Sequence, residues 1–300
     1  MAILNYGSLN VDHTYHVPHL VRPGETISAT TFDVAPGGKG ANQSAAAALA
    51  SASVTHIGQV AEGGRFLIDE LSARGVDTSG IRLGDVPTGR AIIQVDDAAE
   101  NSIVLFSGAN RAFAPGDVDS ALDSAFERLP GEESAGGHVL LLQNEVAHVG
   151  HAIATGHERG LSVCLNPAPM TPAVADYPLE LVDTLVVNEV EGAALVGGEA
   201  NEEIFENLVA AYPHAAVILT VGADGVYAAQ GAEVVRVEAE RVEVVDTTGA
   251  GDTFIGYYLA RRQVGDGFEG ALRIANHAAA LAVGRQGAMP SIPALAEVLA

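Results

Sequence analysis

The chain has 300 residues, 48% of them hydrophobic and 18% charged, which is the composition of an ordinary globular protein. Asp and Glu number 38 against 15 Lys and Arg, a formal net charge of −23. Such a charge repels nucleic-acid phosphates and anionic lipids, so it argues against a nucleic-acid binder and a polybasic membrane protein. The one cysteine, Cys164, excludes an internal disulfide framework. We expect a cytoplasmic protein, because the sequence has neither a signal-peptide pattern nor an apolar run near the ~18 residues of a membrane span.

Strand-like apolar runs and helical patterns alternate along the chain, which is typical of an α/β fold with a mainly parallel central sheet flanked by helices. The predicted strands cover residues 2–8, 54–60, 138–143, 161–166, 184–188 and 216–220. The predicted helices between them cover residues 40–51, 64–74, 146–159, 189–196 and 201–212. The last third predicts a hairpin, 225–229 with 233–237, and then three helices at 251–262, 267–284 and 293–299.

Two segments, about 12–34 and 89–106, interrupt this alternation. Both are rich in β-branched residues, and Pro-Gly or Asp-Asp pairs mark their turns. They predict a small antiparallel β-sheet inserted into the α/β body as a lid. Because the sequence has no internal repeat or low-complexity linker, we expect one domain over residues 1–300.

The most informative local pattern is the glycine-rich turn at residues 245–254, where a β-branched run ends and a helix begins. Gly249, Ala250 and Gly251 let a ligand approach the backbone, and the first-turn N–H groups can hold the negative charge of a phosphoryl group. Asp252 lies in the same turn and can accept a proton from an attacking hydroxyl. We expect the helix dipole to lower its pKa, which phosphoryl transfer tolerates. The alternative is an ordinary helix start with a dipole-favoured Asp.

A second glycine-rich turn covers residues 36–43 and also opens a helix. It is not a Walker A loop, because its spacing differs and no Ser or Thr follows the lysine. Gly37 and Gly38 would allow close approach of a small polar ligand, while Lys39 and Asn42 could donate to its hydroxyls. The alternative is a helix start with a chance lysine, although Lys39 is the one lysine of the chain.

Other polar pairs follow predicted strands. Asn10 and Asp12 are two residues apart and can face one side, where they would bind a ligand or form a turn. Asn188 and Glu191 could hold waters around Mg²⁺, or could be a helix cap with a first-turn acid. The pattern at residues 220–225 is a further strand-to-turn glycine motif.

Taken together, these segments resemble the ribokinase-like (PfkB) carbohydrate kinase family. The Gly-Ala-Gly-Asp segment is typical of the family, and the Asn-x-Asp pair with Gly-Gly-Lys-Gly-Ala-Asn-Gln is typical of its ribose-phosphorylating members. The similar segments, in order along nearly the whole chain, are residues 7–12, 23–25, 37–43, 166–169, 188–191, 220–225, 246–254 and 287–291.

The resemblance implies a three-layer α/β/α fold with a β-sheet lid that pairs with the lid of a second subunit in a homodimer. It implies ATP-dependent phosphorylation of the 5-hydroxyl of D-ribose, with Mg²⁺ and a monovalent cation such as K⁺. Asp252 would be the general base, and Gly249, Ala250 and Gly251 would form the anion hole.

The binding residues carry over in the same way. The sugar would be held by Asn10, Asp12, Gly38, Lys39, Asn42 and Glu145, together with Asp252. The nucleotide would be held by Asn188, Thr220, Gly222, Gly225 and Asn276, and Glu191 would support Mg²⁺ through water. The monovalent cation would lie near Asp246, Thr248, Ala282, Arg285, Gly287 and Ser291, several of them acting through backbone carbonyls.

Two departures from the family pattern bear on the substrate. Residues 61–66 read Ala-Glu-Gly-Gly-Arg-Phe where family members often carry Gly-x-Asp-x-x-Gly, so we expect the sugar-side loop to differ, and the exact sugar is left open. Asp224 adds a negative charge to the nucleotide loop, and we expect it to point to solvent. The alternative substrates are deoxyribose, fructose and a ribonucleoside. An alternative of another class is a non-catalytic sugar-binding regulator, for which loss of Asp252 or of the anion-hole residues would be the sign.

The acidic, lysine-poor composition itself has two interpretations. It can reflect adaptation to a salty cytoplasm, or it can be a solvated acidic surface without further meaning. A melting curve against KCl separates them, because stability that stays constant from dilute to molar salt contradicts adaptation.

Overall fold

The computed structural model describes residues 2–98, 100–129 and 137–300. Residue 99 of the predicted 89–106 segment, and residues 1 and 130–136 of the predicted 1–300 domain, lie outside the described residues. The strands are β1 Ile3–Tyr6, β2 Asn10–His16, β3 Thr31–Gly37, β4 Val54–Val60, β5 Asp77–Leu83, β6 Gly89–Val95, β7 Asn101–Phe106, β8 Val139–Gln143, β9 Ser162–Asn166, β10 Thr184–Asn188, β11 Ala216–Thr220, β12 Val226–Gln230 and β13 Glu233–Val237. The α-helices are α1 Lys39–Leu49, α2 Arg65–Ala73, α3 Pro115–Glu127, α4 Val149–Glu158, α5 Glu189–Val196, α6 Asn201–Ala211, α7 Ala250–Gln263, α8 Phe268–Val283 and α9 Leu295–Val298.

Nine strands form the central sheet in the order β13-β12-β11-β10-β9-β8-β1-β4-β5. Every neighbouring pair from β11 to β5 runs parallel, and the hairpin of β12 and β13 adds two antiparallel strands at one edge. Short continuous apolar runs such as Val139–Gln143 suit this position, because a parallel strand covered on both faces needs apolar side chains on both. The mainly parallel sheet is therefore confirmed.

Helices cover both faces of this sheet. Along β8, Leu141 packs in one buried cluster with Ala45 of α1, whereas Leu140 packs in the other with Leu122 of α3. Neighbouring residues of a strand point to opposite faces, so these two clusters are the two interfaces of a three-layer α/β/α fold. The predicted fold class is confirmed.

A smaller sheet has four strands in the order β3-β2-β6-β7. Its first hairpin, formed by β2 and β3, extends from Asn10 to Gly37. This hairpin is longer at both ends than the predicted segment 12–34. The hairpins β2–β3 and β6–β7 are antiparallel, as predicted, but the central pair β2–β6 is parallel. The reason is that both strands leave the central sheet in the same direction, at Asn10 and Gly89.

Helix α1 packs unusually close to two other elements. Gly40 lies against the backbone of Gly7 and Ser8, where a Cβ would overlap the Ser8 amide. Gly256 of α7 packs so tightly on Ala46 and neighbouring backbone of α1 that a side chain there would have no space. These contacts hold the start of α1 beside the end of β1 and the middle of α1 against the middle of α7.

The sequence pattern does not predict α3 or β5. Helix α3 has a proline in its first turn and Asp117 at the third position, whose carboxylate accepts from the Ala114 amide, but its apolar stripe is narrow. Strand β5 is an edge strand with a register irregularity and no fully buried residue, so it lacks the apolar signal of the inner strands. Among the described residues, no helix combines the length and apolar character that crossing a bilayer requires.

Candidate active site

The carboxyl ends of β10 and β11 and the start of α7 line a cleft of about 1320 Å³. Parallel strands end at the same edge of a sheet, which is where such folds place ligands. The lining includes the predicted residues Lys39, Asn188, Glu191, Thr220, Gly222, Gly225, Gly249, Ala250, Gly251, Asp252 and Asn276. The predicted sugar-side residues Asn10, Asp12, Gly38, Asn42 and Glu145 lie outside this lining.

Asp252 lies in the first turn of α7 and is buried. Its Oδ2 accepts a hydrogen bond of 3.0 Å from Asn42 Nδ2, and its Oδ1 accepts one of 2.9 Å from Gln43 Nε2. Both donors belong to α1, so the close packing of α1 on α7 is what orients this carboxylate. Sequence reasoning did not select Gln43, although it follows Asn42 in the motif.

The expectation that the helix dipole lowers the pKa of Asp252 is wrong. Burial raises this pKa and is the largest influence, while the Lys39 charge and the hydrogen bonds from Asn42 and Gln43 lower it. The negative charge of Glu145 raises it further, and the net pKa lies above its ordinary value. A carboxylate removed from water is a stronger base than one at an exposed helix start.

The three residues before Asp252 are Gly249, which caps α7, and Ala250 and Gly251, which begin the helix. Gly249 has φ +77°, and a Cβ there would meet the Ala288 backbone at 3.0 Å, so the position requires glycine. At Gly251, by contrast, a Cβ would meet nothing within 4 Å among the described atoms. Gly251 therefore leaves a vacant approach to the start of α7 from the cleft.

Lys39 lies among carboxylates at the start of α1. Burial lowers the pKa of Lys39, but the negative charges of Asp252, Glu145 and Glu191 raise it more, so the pKa lies above its ordinary value and the ammonium stays protonated. The Lys39 backbone amide also donates to Glu145 Oε2 at 3.1 Å. The Lys39 ammonium thus interacts with Glu145 of the predicted sugar side and with Glu191 and Asp252, which line the cleft.

On the sugar side, Asn10 and Asp12 lie in the first half of strand β2. Asn10 is buried, and its Oδ1 accepts from Asn110 Nδ2 at 2.8 Å. Sequence reasoning missed Asn110, because nothing in the residues around it marks a site. Burial, and then the charges of Glu145 and Asp252, raise the pKa of Asp12 to about 7.

Glycines make room around these groups. A side chain at Gly37 would overlap the Asp12 carboxylate, and Gly38 has φ +95° with its backbone against Asn10. Asn42 is buried, and its Oδ1 has no hydrogen-bond partner among the described residues. An unsatisfied buried acceptor beside Asp252 is suited to a ligand hydroxyl.

The predicted nucleotide side lies across the cleft. Asn188 and Thr220 are register partners at the carboxyl ends of β10 and β11. Gly225 has φ +94°, and a side chain there would overlap the Val237 carbonyl. Asn276 of α8 donates through Nδ2 to the Glu238 carbonyl at 3.0 Å. Asp224 is exposed at the edge of the cleft, as expected.

Asn188 and Glu191 form a reciprocal cap at the start of α5. Asn188 Oδ1 accepts from the Glu191 amide at 2.9 Å, and Glu191 Oε2 accepts from the Asn188 amide at 3.0 Å. The capping interpretation is therefore correct, and Glu191 nevertheless lines the cleft. The described residues contain no group of three or more His, Cys, Asp or Glu side chains that could hold a metal ion.

Of the predicted cation-site residues, the structure brings three together directly. Asp246 accepts from the Thr248 amide at 2.9 Å and from the Gly287 amide at 2.9 Å. Ala282 lies near them, since the Asp246 amide bonds the adjacent Val283 carbonyl at 3.2 Å. The side chains of the other two point elsewhere: the Arg285 guanidinium pairs with Glu297, and the Ser291 hydroxyl donates to the Ala288 carbonyl.

Comparison with known proteins identifies the class of protein to which this fold and cleft belong. A family model described as pfkB family carbohydrate kinase matches residues 2–295. The chain is 35% identical to a ribokinase of Haemophilus influenzae over 98% of its length and 95% of the relative's. It is 32% identical to a deoxyribokinase of Salmonella typhimurium over 98% of its length and 96% of the relative's.

A solved ribokinase of Arabidopsis thaliana, complexed with ribose and ATP, superimposes with a TM-score of 0.85 at 29% identity. The match covers 100% of this chain and 98% of that one. The chain belongs to the PfkB family of carbohydrate kinases. The predicted enzyme class, an ATP-dependent carbohydrate kinase, is thereby confirmed.

Proposed function

We propose that this carbohydrate kinase transfers the γ-phosphoryl group of ATP to the 5-hydroxyl of D-ribose, giving ribose 5-phosphate and ADP. The observation that carries the proposal is the position of Asp252. Its side chain lines the cleft and also accepts a hydrogen bond from Asn42, which belongs to the predicted sugar-binding residues. The full-length similarity to ribokinases supports ribose as the sugar.

In the proposed reaction, Asp252 accepts the proton of the 5-hydroxyl as its oxygen attacks the γ-phosphorus. Its raised pKa makes this carboxylate a stronger base than an ordinary aspartate. The backbone of Gly249, Ala250 and Gly251 would stabilise the charge on the transferring group, and the protonated Lys39 would add a positive charge. Asn10, Asp12, Gly38, Asn42 and Glu145 would orient the sugar.

Asn188, Thr220, Gly222, Gly225 and Asn276 would contact ATP. The residues also fit Mg²⁺ held mainly by the nucleotide, because the Glu191 carboxylate lines the cleft but already accepts from the Asn188 amide. Glu191 would therefore reach Mg²⁺ through water. The ion would neutralise phosphate charge that the acidic chain otherwise repels.

The residues around Asp246 fit a monovalent cation. They offer oxygens of Asp246 and Thr248 and the carbonyls of Ala282, Arg285, Gly287 and Ser291, a donor set of hard oxygens without nitrogen or sulfur. Burial raises the pKa of Asp246, but the hydrogen bonds from Thr248 and Gly287 outweigh it, so the net pKa lies below the ordinary value. A bound cation would stabilise the turn that leads into Gly249.

We expect K⁺ to activate the enzyme more than Na⁺ at equal ionic strength, because carbonyl-lined sites suit the larger ion, whose hydration shell is removed more easily. The measurement is kcat and the KM for ATP in otherwise identical KCl and NaCl buffers. Asp246→Asn should reduce the difference between the two salts, whereas Asp266→Asn, which lies beyond the end of α7 and is distant in sequence from this site, should preserve it. Equal rates in both salts would contradict the cation site.

Identification of the sugar needs a direct comparison of acceptors. We expect ADP release with ATP and D-ribose to exceed that with deoxyribose, fructose or a ribonucleoside. Deoxyribose is the most relevant competitor, since a deoxyribokinase is among the relatives. Strong turnover of a nucleoside without turnover of ribose would overturn the choice of sugar. No turnover of any acceptor would favour the non-catalytic regulator.

We also propose that the small sheet pairs with that of a second copy in a homodimer. The support is its apolar exposure, since the edge strand β7 is exposed along its whole length. Unpaired, exposed edge strands are sites of association. The large exposed apolar side chains of this sheet are Phe32, Val34, Ile92, Ile103, Val104, Leu105 and Phe106.

A further inference from the structure

A series of buried amide side chains connects Asp252 with the core of the protein. Gln43, which donates to Asp252, accepts at its Oε1 from Gln143 Nε2 of β8 at 2.6 Å. Gln143 Nε2 also donates to Asn5 Oδ1 of β1 at 3.1 Å. Asn5, Gln43 and Gln143 are each 0% exposed, so no solvent can replace a lost partner.

The direction of every hydrogen bond in this series is determined by backbone groups. Asn5 Nδ2 donates to the Gly40 carbonyl at 2.8 Å, and a carbonyl can only accept. The oxygen of Asn5 must therefore face Gln143, which must present its NH₂ group. That group engages the Gln43 oxygen, so the Gln43 NH₂ group faces Asp252.

A second backbone carbonyl enforces the same orientation from the other side. Asn166 Nδ2 donates to the Val186 carbonyl at 3.0 Å, which turns Asn166 Oδ1 toward Gln43. Gln43 Nε2 donates to that oxygen at 3.3 Å as well as to Asp252. Both hydrogens of the Gln43 amide are thus engaged, and the reverse orientation would place its oxygen against two oxygens.

We propose that Gln143 and Asn5 are positioning residues for the phosphoryl-transfer reaction, because they hold the Gln43 amide with its NH₂ group toward Asp252. This inference rests on the proposed role of Asp252 as the base. In this orientation the Gln43 NH₂ group donates to the Asp252 carboxylate. The hydrogen bond stabilises the charged form of Asp252 and holds the carboxylate in the position that proton transfer from the sugar requires. Gln143 and Asn5 are fully buried and reach Asp252 only through Gln43, so they are positioning and not catalytic residues.

Other groups also influence Asp252 and must be kept constant in a test. Lys39 and Asn42 of α1 stabilise its charged form, and Glu145, from the turn after β8, opposes it. Asp12 and Glu191 are influenced by Asp252 in turn. Substitution at Gln143 leaves all five side chains in place.

The test compares the pH profile of kcat for the wild-type enzyme and Gln143→Met, a variant of similar volume without donors. We expect kcat to fall about tenfold at neutral pH, and the acid limb to shift upward by about one pH unit, because Gln43 no longer stabilises the charged carboxylate. The KM values for ribose and ATP should change less than about twofold. Gln143→Glu should be more damaging than Gln143→Met at high pH, where its carboxylate repels the Gln43 oxygen.

Gln59→Glu is the matched control for Gln143→Glu. Gln59 is a buried amide of β4 whose oxygen accepts from Arg82, and a carboxylate keeps that bond while adding the same charge. We expect the Gln59→Glu enzyme to keep the wild-type pH profile of kcat. If Gln143→Met does not fold, Asn5→Leu tests the same orientation one residue further from Asp252.

Wild-type kcat and an unshifted acid limb in a folded Gln143→Met enzyme would overturn the inference. A loss by one constant factor at every pH would also overturn it, since that indicates a smaller folded fraction only. Failure of the proposed function itself is distinguishable, because the wild-type enzyme would then not phosphorylate ribose at all.

Discussion

Asp252→Asn is expected to lower kcat for ribose phosphorylation by about 10³-fold, within the range of 10²- to 10⁴-fold typical of a lost general base. The amide cannot accept the hydroxyl proton, and its NH₂ group would face the donors of Asn42 or Gln43. The KM values for ribose and ATP should change little, because the substitution is isosteric. Steady-state kinetics with a coupled ADP assay provide the measurement.

The matched control is Asp69→Asn, which removes one negative charge from an exposed position of α2. It should leave kcat unchanged. A folded Asp252→Asn enzyme that retains more than about a tenth of the wild-type kcat would contradict the assignment of the base.

Gly251→Ala is expected to make the protein slightly more stable and the enzyme much less active. Gly251 is the second residue of α7, where alanine favours the helix by up to about 1 kcal/mol relative to glycine. A Cβ there would meet no atom of the described residues within 4 Å, so it would extend into space that the proposed anion hole needs. We expect kcat/KM for ATP to fall by about 10²-fold, comparable with loss of one oxyanion donor.

Gly270→Ala is the control, because it should raise the stability as Gly251→Ala does but should not lower the activity. Gly270 is an exposed residue of α8 at which a Cβ would also meet nothing within 4 Å. The substitution should raise the melting temperature without a change in kcat/KM. If Gly251→Ala were fully active, phosphoryl groups would not bind at the start of α7 and the proposed anion hole would be wrong.

The sequence predicts those parts of the site that lie on one strand end or one helix start. Continuous apolar runs predict the inner strands of the sheet, and the glycine-rich turns before α1 and α7 mark where a ligand approaches the backbone. The Asn188–Glu191 pattern leaves a cap and a metal role as alternatives, and the cap is observed.

The parts that the sequence does not predict depend on contacts between distant segments. Gln43 meets Asp252 across 209 positions of the chain, and Gln143 meets Asn5 across 138. Neither pairing has a local spacing that a pattern would reveal. The raised pKa of Asp252 depends in the same way on burial by α1, which the helix-dipole argument does not include.

The net charge of −23 has a local counterpart in the site. Lys39, the one lysine of the chain, lies among the negative charges of Asp252, Glu145 and Glu191. Polyanionic ATP would therefore approach an acidic region with little basic compensation from side chains. This imbalance is why the proposed function depends on Mg²⁺, a monovalent cation and the start of α7.

The most direct test of the proposed function is ³¹P NMR of the product formed from ATP and D-ribose. Phosphorylation of the 5-hydroxyl should give one sugar phosphate, equimolar with ADP, whose phosphorus couples to the two protons of the C5 methylene group. A phosphorus coupled to the single anomeric proton, or ADP with inorganic phosphate and no sugar phosphate, would contradict it.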